Sequence, residues 1–407
     1  MSVTQLGLIL MVACVVAMLS RRLHLPYSVG LVVAGIGLAL LDGPTNLSVT
    51  PDLIYTVLLP PLIFEAALQL KWRPFLKDLD ITATLAFPGV LLTGAIIASG
   101  MHYICGWGWL GAMLFGALIA ATDPVSVVAT FKEISVVPRL RLLVESESLL
   151  NDGAAAVAFS ILVSVAHGVD IEPGTMAAML LWMVGGGIAI GALVAAATLA
   201  LAYRTDDHLV EITLTTIAAY GSFLVAEHFH MSGVLATLTA GLVIGNVGWL
   251  GAIASASRGH IKSFWEYVAF LANSIVFILI GGNEAGQAGG LLAPVAAAAI
   301  GLVLLGRVVA VYPLCALFAR SHRKIDVRHQ HVLVWGSLRG ALALALALAL
   351  AIPASVSEKG AIITAAFAVV AFSIFAQGLT MPWLIRILGL TLETESLPDE
   401  KTIVTTR

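Results

Sequence analysis

Charge is what this 407-residue chain has least of: Asp, Glu, Lys and Arg make up 11 % of it, 21 basic residues against 24 acidic ones. A water-facing globular protein carries roughly 25 % charged residues, so an ordinary soluble enzyme is excluded. Cysteine is scarce as well. Cys14, Cys105 and Cys315 make neither a disulfide framework nor a metal-ligand spacing. The formal net charge of −3 leaves no footprint for nucleic acid. Disorder is excluded because it needs low hydrophobicity and high net charge. What the chain has in abundance is hydrocarbon, with residues of the AVILMFWYC set at 59 %. It reads as an all-α, multi-pass protein of a cell (inner) membrane.

A bilayer-crossing helix needs roughly 20 mostly apolar residues. Thirteen candidate spans follow, over residues 3–20, 27–41, 50–70, 80–101, 108–131, 139–166, 175–202, 208–228, 232–250, 261–282, 290–319, 328–352 and 359–388. Met1 leads directly into apolar sequence without a basic leader region, so the first segment reads as a span rather than a cleaved signal. The loops check the count. Eighteen of the 21 lysines and arginines fall on one set of alternate loops and the C-terminal side, Lys359 alone falls on the other set, and Arg307 and Arg339 fall inside spans. By the positive-inside rule the N-terminus faces out and the C-terminus faces the cytoplasm. The acidic, polar stretch 389–407 reads as a short cytoplasmic tail, with no soluble domain.

Once the loops are assigned, the informative residues are the ionisable ones left inside the spans, each costing about +2.5–3.5 kcal/mol to insert. They are Glu65, Asp123, Glu147, Asp152, Arg307 and Arg339: four acids against two bases. A cluster with too few bases must hold protons, a bound cation, or both. In LLVESESLLNDGAAAVAF, Ser148 and Asp152 are four residues apart on one helix face, and so are Glu147 and Asn151. A satisfied polar network between packed helices is the structural alternative. In LIAATDPVSVVATF, Pro124 lacks an N–H and biases Asp123 away from helix. Unwound backbone at membrane depth is tolerated where it is buried in protein or lines a cavity, and freed carbonyls there suit an ion; a plain proline kink is the alternative. Pro60-Pro61 ahead of Glu65 predict a kink in span 3. Gly336 and Gly340 flank Arg339 and suggest a second break, in span 12, at the position an inverted repeat would give it. The tryptophans at 72, 107, 109, 249, 265, 335 and 383 fit an interfacial belt.

Thr122-Asp123-Pro124, the run Glu147-Ser148-Leu149-Leu150-Asn151-Asp152-Gly153, Phe64-Glu65-Ala66-Ala67-Leu68 and Leu338-Arg339-Gly340 resemble the prokaryotic NhaP-type sodium/proton antiporters of the first cation/proton antiporter family. The resemblance implies 13 helices with helices 5 and 12 discontinuous, a homodimer in the lipid bilayer, a mobile core (80–166 and 290–388) and a dimer scaffold (1–70 and 175–282). It implies alternating-access exchange of Na⁺ or Li⁺ for H⁺, in the service of pH homeostasis, with no enzymatic activity and no cofactor. Asp152 would bind either ion; Asp123, Ser148, the Thr122 backbone and Glu65 would complete the site; Glu147 would pair with Arg307, with Arg339 at the second break. Asn151, where electrogenic relatives carry a second Asp, implies electroneutral one-for-one exchange. Ala66-Ala67 departs from the family's glycine pair, and the short tail departs from the larger relatives. A K⁺/H⁺ antiporter is the alternative within the class. An intramembrane aspartyl protease built on Asp123 and Asp152 is the remote alternative, disfavoured because no GxGD-like sequence is present.

Overall fold

The computed structural model describes residues 3–23, 26–41, 53–123, 127–128, 131, 134, 136–168, 172–287, 294–321, 323–340 and 356–391. Pro124, the alternating Ala-Leu run after Arg339 and residues 392–407 lie outside these. Among the described residues the structure is helices joined by short irregular segments, and the one isolated β-bridge joins Val136 to Thr391. Helices form because lipid offers the backbone no partners, so each apolar segment must satisfy its own N–H and C=O groups.

The helices are α1 (Val3–Leu23), α2 (Tyr27–Leu41), α3 (Leu59–Gln69), α4 (Trp72–Lys77), α5 (Leu79–Cys105), α6 (Trp109–Ala120), α7 (Pro138–Ala166), α8 (Pro173–Ala202), α9 (His208–His228), α10 (Gly233–Asn246), α11 (Ser257–Gln287), α12 (Pro294–Leu317), α13 (Val327–Trp335), α14 (Lys359–Phe372) and α15 (Leu379–Ile387). Among the described residues, eight helical stretches are long and apolar enough to cross a membrane, and four shorter apolar helices accompany them. Local chemistry sets several ends. Gly106 closes α5 in the left-handed conformation at φ 71°, a geometry that favours glycine. Asp207 caps α9 by accepting from the Leu209 N–H at 2.8 Å, and Ser232 caps α10.

Three details differ from the sequence expectation. Pro60 and Pro61 fall in the first turn of α3, where a missing N–H leaves no gap; the distortion of span 3 is a wide turn over Leu53–Leu58 ahead of them. Span 13 is divided by a similar wide turn, Ser373–Gly378. Trp265 does not belong to an interfacial belt. It is fully buried against Phe64, with its Nε1 donating to Thr215 Oγ1 at 3.0 Å.

Packing runs in two sets. α5 lies against α6, α7 and α12, and α12 reaches α14; α2 lies along α11, while α10 sits among α3, α8 and α9. The α2–α11 contact is close enough that a Cβ on Gly35 would strike the Ile278 carbonyl, and one on Gly281 the Val32 carbonyl. Small residues permit such approach where lipid gives no hydrophobic drive. α7 lies between the sets, touching α5 and α6 on one side and α3, α8 and α10 on the other.

Candidate functional site

Two helices stop inside the bundle. α6 ends at Ala120, and Ala121 continues as extended chain (φ −62°, ψ 148°) through Thr122 and Asp123. α13 ends at Trp335, followed by non-helical Gly336–Gly340. The two irregular segments meet: the Asp123 N–H donates to the Leu338 carbonyl at 2.8 Å. Gly340 packs on the Asp123 carboxylate, so a Cβ there would collide with it. Backbone freed by each break is thus paired across the crossing, as burial demands.

α7 supplies the rest. The Thr122 N–H donates to Asn151 Oδ1 at 3.1 Å. This leaves the Asn151 amide nitrogen to donate to Thr122 Oγ1 at 2.7 Å and to Glu147 Oε1 at 3.0 Å. Having accepted from Asn151, the Thr122 hydroxyl shares its remaining bond with Ser148 Oγ at 2.9 Å. Glu147 is held by Arg307 of α12 through both oxygens, at 3.0 and 3.3 Å, and Arg307 also donates to the Leu333 carbonyl at 3.1 Å. Thr122, Glu147, Ser148, Asn151 and Arg307 are all buried.

Asp152 follows on the next turn of α7, half-buried, with Asp123 and Glu147 as the acidic charges that act on it. The two aspartates expected to cooperate are therefore neighbours. Glu65, on α3, takes a hydrogen bond from Gln69 one turn further along. Glu145 pairs with Arg141 at 2.7 Å. Among the described residues Arg339 makes no ion pair; its Nη1 donates to the Ser337 carbonyl at 3.2 Å, and its Nε and Nη2 are buried with no hydrogen-bond partner among them. Its backbone meets Ser373, whose Oγ accepts from the Arg339 N–H at 3.0 Å and shares its one proton between the Val370 carbonyl at 2.9 Å and the Arg339 carbonyl at 3.2 Å. Gln377 donates to the Trp335 carbonyl at 3.0 Å. Sequence reasoning missed Ser373 and Gln377; their signal is two polar residues four apart in an otherwise apolar span.

Chemically, the paired Glu147 and Arg307 cancel. Asp123, Asp152 and Arg339 are the other ionisable groups near the crossing, and Glu65 lies on α3. The carboxylates, the Ser148 hydroxyl and the unwound backbone are hard oxygen donors, the type that suits an alkali cation or a proton. Two cavities lie along α7 on either side of Asp152. One, of about 920 Å³, reaches Glu145 and the first turns of α7. The other, of about 370 Å³, reaches Ala156, Ser160 and Ser164. In the second, Glu227 Oε1 accepts from the Tyr55 hydroxyl at 3.1 Å and the Gly233 N–H at 3.0 Å.

Comparison with known proteins extends this geometry. Residues 9–387 match the family described as sodium/hydrogen exchanger, transmembrane. The chain is 39 % identical over 373 residues to the Na⁺/H⁺ antiporter ApNhaP of Aphanothece halophytica, covering 90 % of this chain and 70 % of that protein. It is 30 % identical to the Na⁺/H⁺ antiporter NhaH of Halobacillus aidingensis, covering 95 % and 98 %. Its fold is similar to the solved structure of the sodium proton antiporter MjNhaP1 from Methanocaldococcus jannaschii, with a TM-score of 0.77 at 20 % identity over 95 % of this chain and 98 % of that one.

Proposed function

The chain belongs to the sodium/hydrogen exchanger family, and from that premise we propose how its residues divide the work. The protein is a Na⁺/H⁺ antiporter of the membrane, a transporter and not an enzyme. Asp152 is the carboxylate that takes either ion. Asp123, Ser148 and the Thr122 backbone complete its oxygen shell, and Glu65 joins through water. Glu147 with Arg307, braced by Asn151, holds the frame. Arg339 offsets part of the site's negative charge.

The observation that carries this assignment is that Asp123, bonded through its N–H to Leu338 where two interrupted helices cross, lies near enough to Asp152 for their charges to interact. An ionised pair so placed is unstable in a low-dielectric interior. It is neutralised by a proton or by Na⁺, and binding of one displaces the other. Moving the site empty would carry bare charge through hydrocarbon, and that penalty couples the two fluxes.

The cavities on either side of Asp152 support alternating access, in which the set α5–α7 with α12–α15 moves against α1–α3 with α8–α11. The wider cavity lies on the basic-loop face, which we assign to the cytoplasm; with it goes our reading of thirteen crossings, the N-terminus outside, in the cell membrane. α8 is the least buried of the long helices. With Met18 of α1 and Leu181 and Leu193 of α8 exposed, it suits a homodimer face. Asn151 in place of a second acid supports one-for-one, electroneutral exchange. The same oxygen ligands would admit Li⁺ or K⁺, because selectivity rests on cavity size.

The test is proton movement in proteoliposomes driven by a Na⁺ gradient. Asp152→Asn is expected to abolish it while the protein still inserts and elutes as wild type. Exchange retained in that variant would strip Asp152 of its role. Comparing Na⁺, Li⁺ and K⁺ gradients settles the cation, and a transport current under any of them would refute electroneutrality.

A further inference from the structure

The cavity on the basic-loop face has the wrong sign for an approach to a cation site. Six basic side chains line it, Lys71, Lys77, Arg139, Arg141, Arg258 and Lys262, against two acidic ones, Asp78 and Glu145. Both acids are taken: Asp78 pairs with Arg139 at 2.8 Å and Glu145 with Arg141 at 2.7 Å. Among the described residues, Lys262 approaches only the exposed Glu266, at 3.9 Å, and no carboxylate pairs with Lys71, Lys77 or Arg258. The positive-inside bias explains basic residues on this face. It does not explain four surplus cations converging on one cleft, which would repel the transported ion.

Arg258 points to what offsets them. Its guanidinium carbon lies 5.7 Å from the centre of the Trp249 ring, which also lines the cavity. Its Nε is buried without a hydrogen-bond partner. A planar guanidinium steadied on an aromatic face with an unspent donor is prepared for an oxyanion such as a phosphate. The ammonium groups of Lys71, Lys77 and Lys262 supply further charge around a space of about 920 Å³, ample for a phosphate group and its substituents.

We propose that this cleft binds a phosphate-bearing anion, held by Arg258 with Lys262, Lys71 and Lys77, and that the bound anion braces α11 against α4. The regulatory consequence rests on the alternating-access reading above: the cleft must close for the site to change sides, so an occupied cleft slows exchange. A phosphodiester of an anionic lipid and a free phosphate compound share this chemistry, and the experiment separates them.

Inorganic pyrophosphate is titrated calorimetrically into the purified, detergent-solubilised protein. Exchange is then measured in vesicles of phosphatidylcholine alone and in vesicles with about one-fifth phosphatidylglycerol, an anionic lipid that draws on such basic clusters. The variants are Lys77→Gln with Lys262→Gln, both exposed, and Arg258→Gln. Arg73→Gln, an exposed change on α4 outside the cavity lining, controls for general surface charge. Saturable pyrophosphate binding, weakened about tenfold by the cleft variants and not by Arg73→Gln, is expected for a free phosphate. A slower rate in phosphatidylglycerol vesicles, relieved by the cleft variants alone, is expected for a lipid. The proposal is overturned if the wild type responds to neither probe, or if cleft and control variants respond alike. Calorimetry does not depend on exchange, so a protein that binds pyrophosphate but moves no Na⁺ would refute the transport reading and leave the anion site standing.

Discussion

Arg307 and Arg339 are buried to the same depth, at 2 % and 1 % exposure, yet they are compensated in different ways. Arg307 grips both oxygens of Glu147 and the Leu333 carbonyl. Arg339 has one backbone carbonyl, and two of its nitrogens lack a partner. Both bear the cost of leaving water, but only Arg307 recovers it through a bidentate ion pair. The difference teaches that formal charge inside this bundle has two uses. A paired arginine fixes a helix contact, here α12 to α7. Under the transport reading proposed above, an unpaired one such as Arg339 stays available to balance charge that comes and goes nearby without fixing a carboxylate in place.

The comparison is broken most directly by truncating each arginine. Arg307→Ala strands Glu147 as a lone buried charge, and about 3–5 kcal/mol of stability is expected to go. Arg339→Ala removes donors that are already unsatisfied, so its cost is expected near 1 kcal/mol, with exchange impaired more than folding. Thermal unfolding in detergent, read beside exchange in proteoliposomes, separates the two. Equal loss of stability would erase the distinction.

Asn151 sharpens the paired side of the contrast. Its amide nitrogen serves Glu147 and Thr122 together, a task an acid cannot perform. Asn151→Asp sets two carboxylates face to face and removes two hydrogen bonds. The expected loss is about 1–3 kcal/mol at neutral pH, recovered in part as the medium is acidified and one acid is neutralised. A variant equally stable at every pH would contradict the assigned amide orientation.

How much of this is legible in sequence depends on the range of the contact. The all-helical, membrane-spanning class follows from composition and from apolar runs of bilayer length. Within α7, helical periodicity alone sets Glu147 beside Asn151, and the 3.0 Å bond between them is that spacing realised. Contacts between helices are another matter. The Thr122–Asn151 bracket and the Asp123–Leu338 bond join residues far apart in the chain, and no local period encodes how two helices cross. Trp265 misleads for the same reason: a tryptophan reads as interfacial until Phe64 and Thr215 are found around it. The division of span 13 is not legible either, because Ser373 at its start meets the backbone of Arg339, a residue in another segment.

That serine marks the unpaired side. Because Ser373 Oγ accepts from the Arg339 N–H, while its one proton is shared between the Val370 and Arg339 carbonyls, Ser373→Ala leaves that buried N–H unserved, at an expected cost of about 1–2 kcal/mol. Ser373→Thr keeps the hydroxyl and should restore most of it. Failure of threonine to outperform alanine, measured by thermal unfolding, would mean the hydroxyl contributes nothing.

The smallest effect lies at the far end of α6, where a charge is compensated in the open. Glu358, just ahead of α14, accepts from the Gly108 N–H at 2.8 Å, and so places an acid at the start of α6, where a helix favours negative charge. That hydrogen bond, with a lesser one from Ser357, holds its carboxyl below the ordinary value of 4.5. A depressed carboxyl stabilises the fold fully above its unfolded value and loses that contribution as pH falls through the folded one. Glu358→Gln keeps an acceptor for Gly108 but removes the charge. A few tenths of a kcal/mol is expected at neutral pH, since water screens the site, and the deficit should vanish in strong acid. A deficit that persists there would belong to packing against Gly111 rather than to charge. The partly exposed acid would then resemble Arg307 in fixing a contact, and pairing rather than charge would be what it contributes.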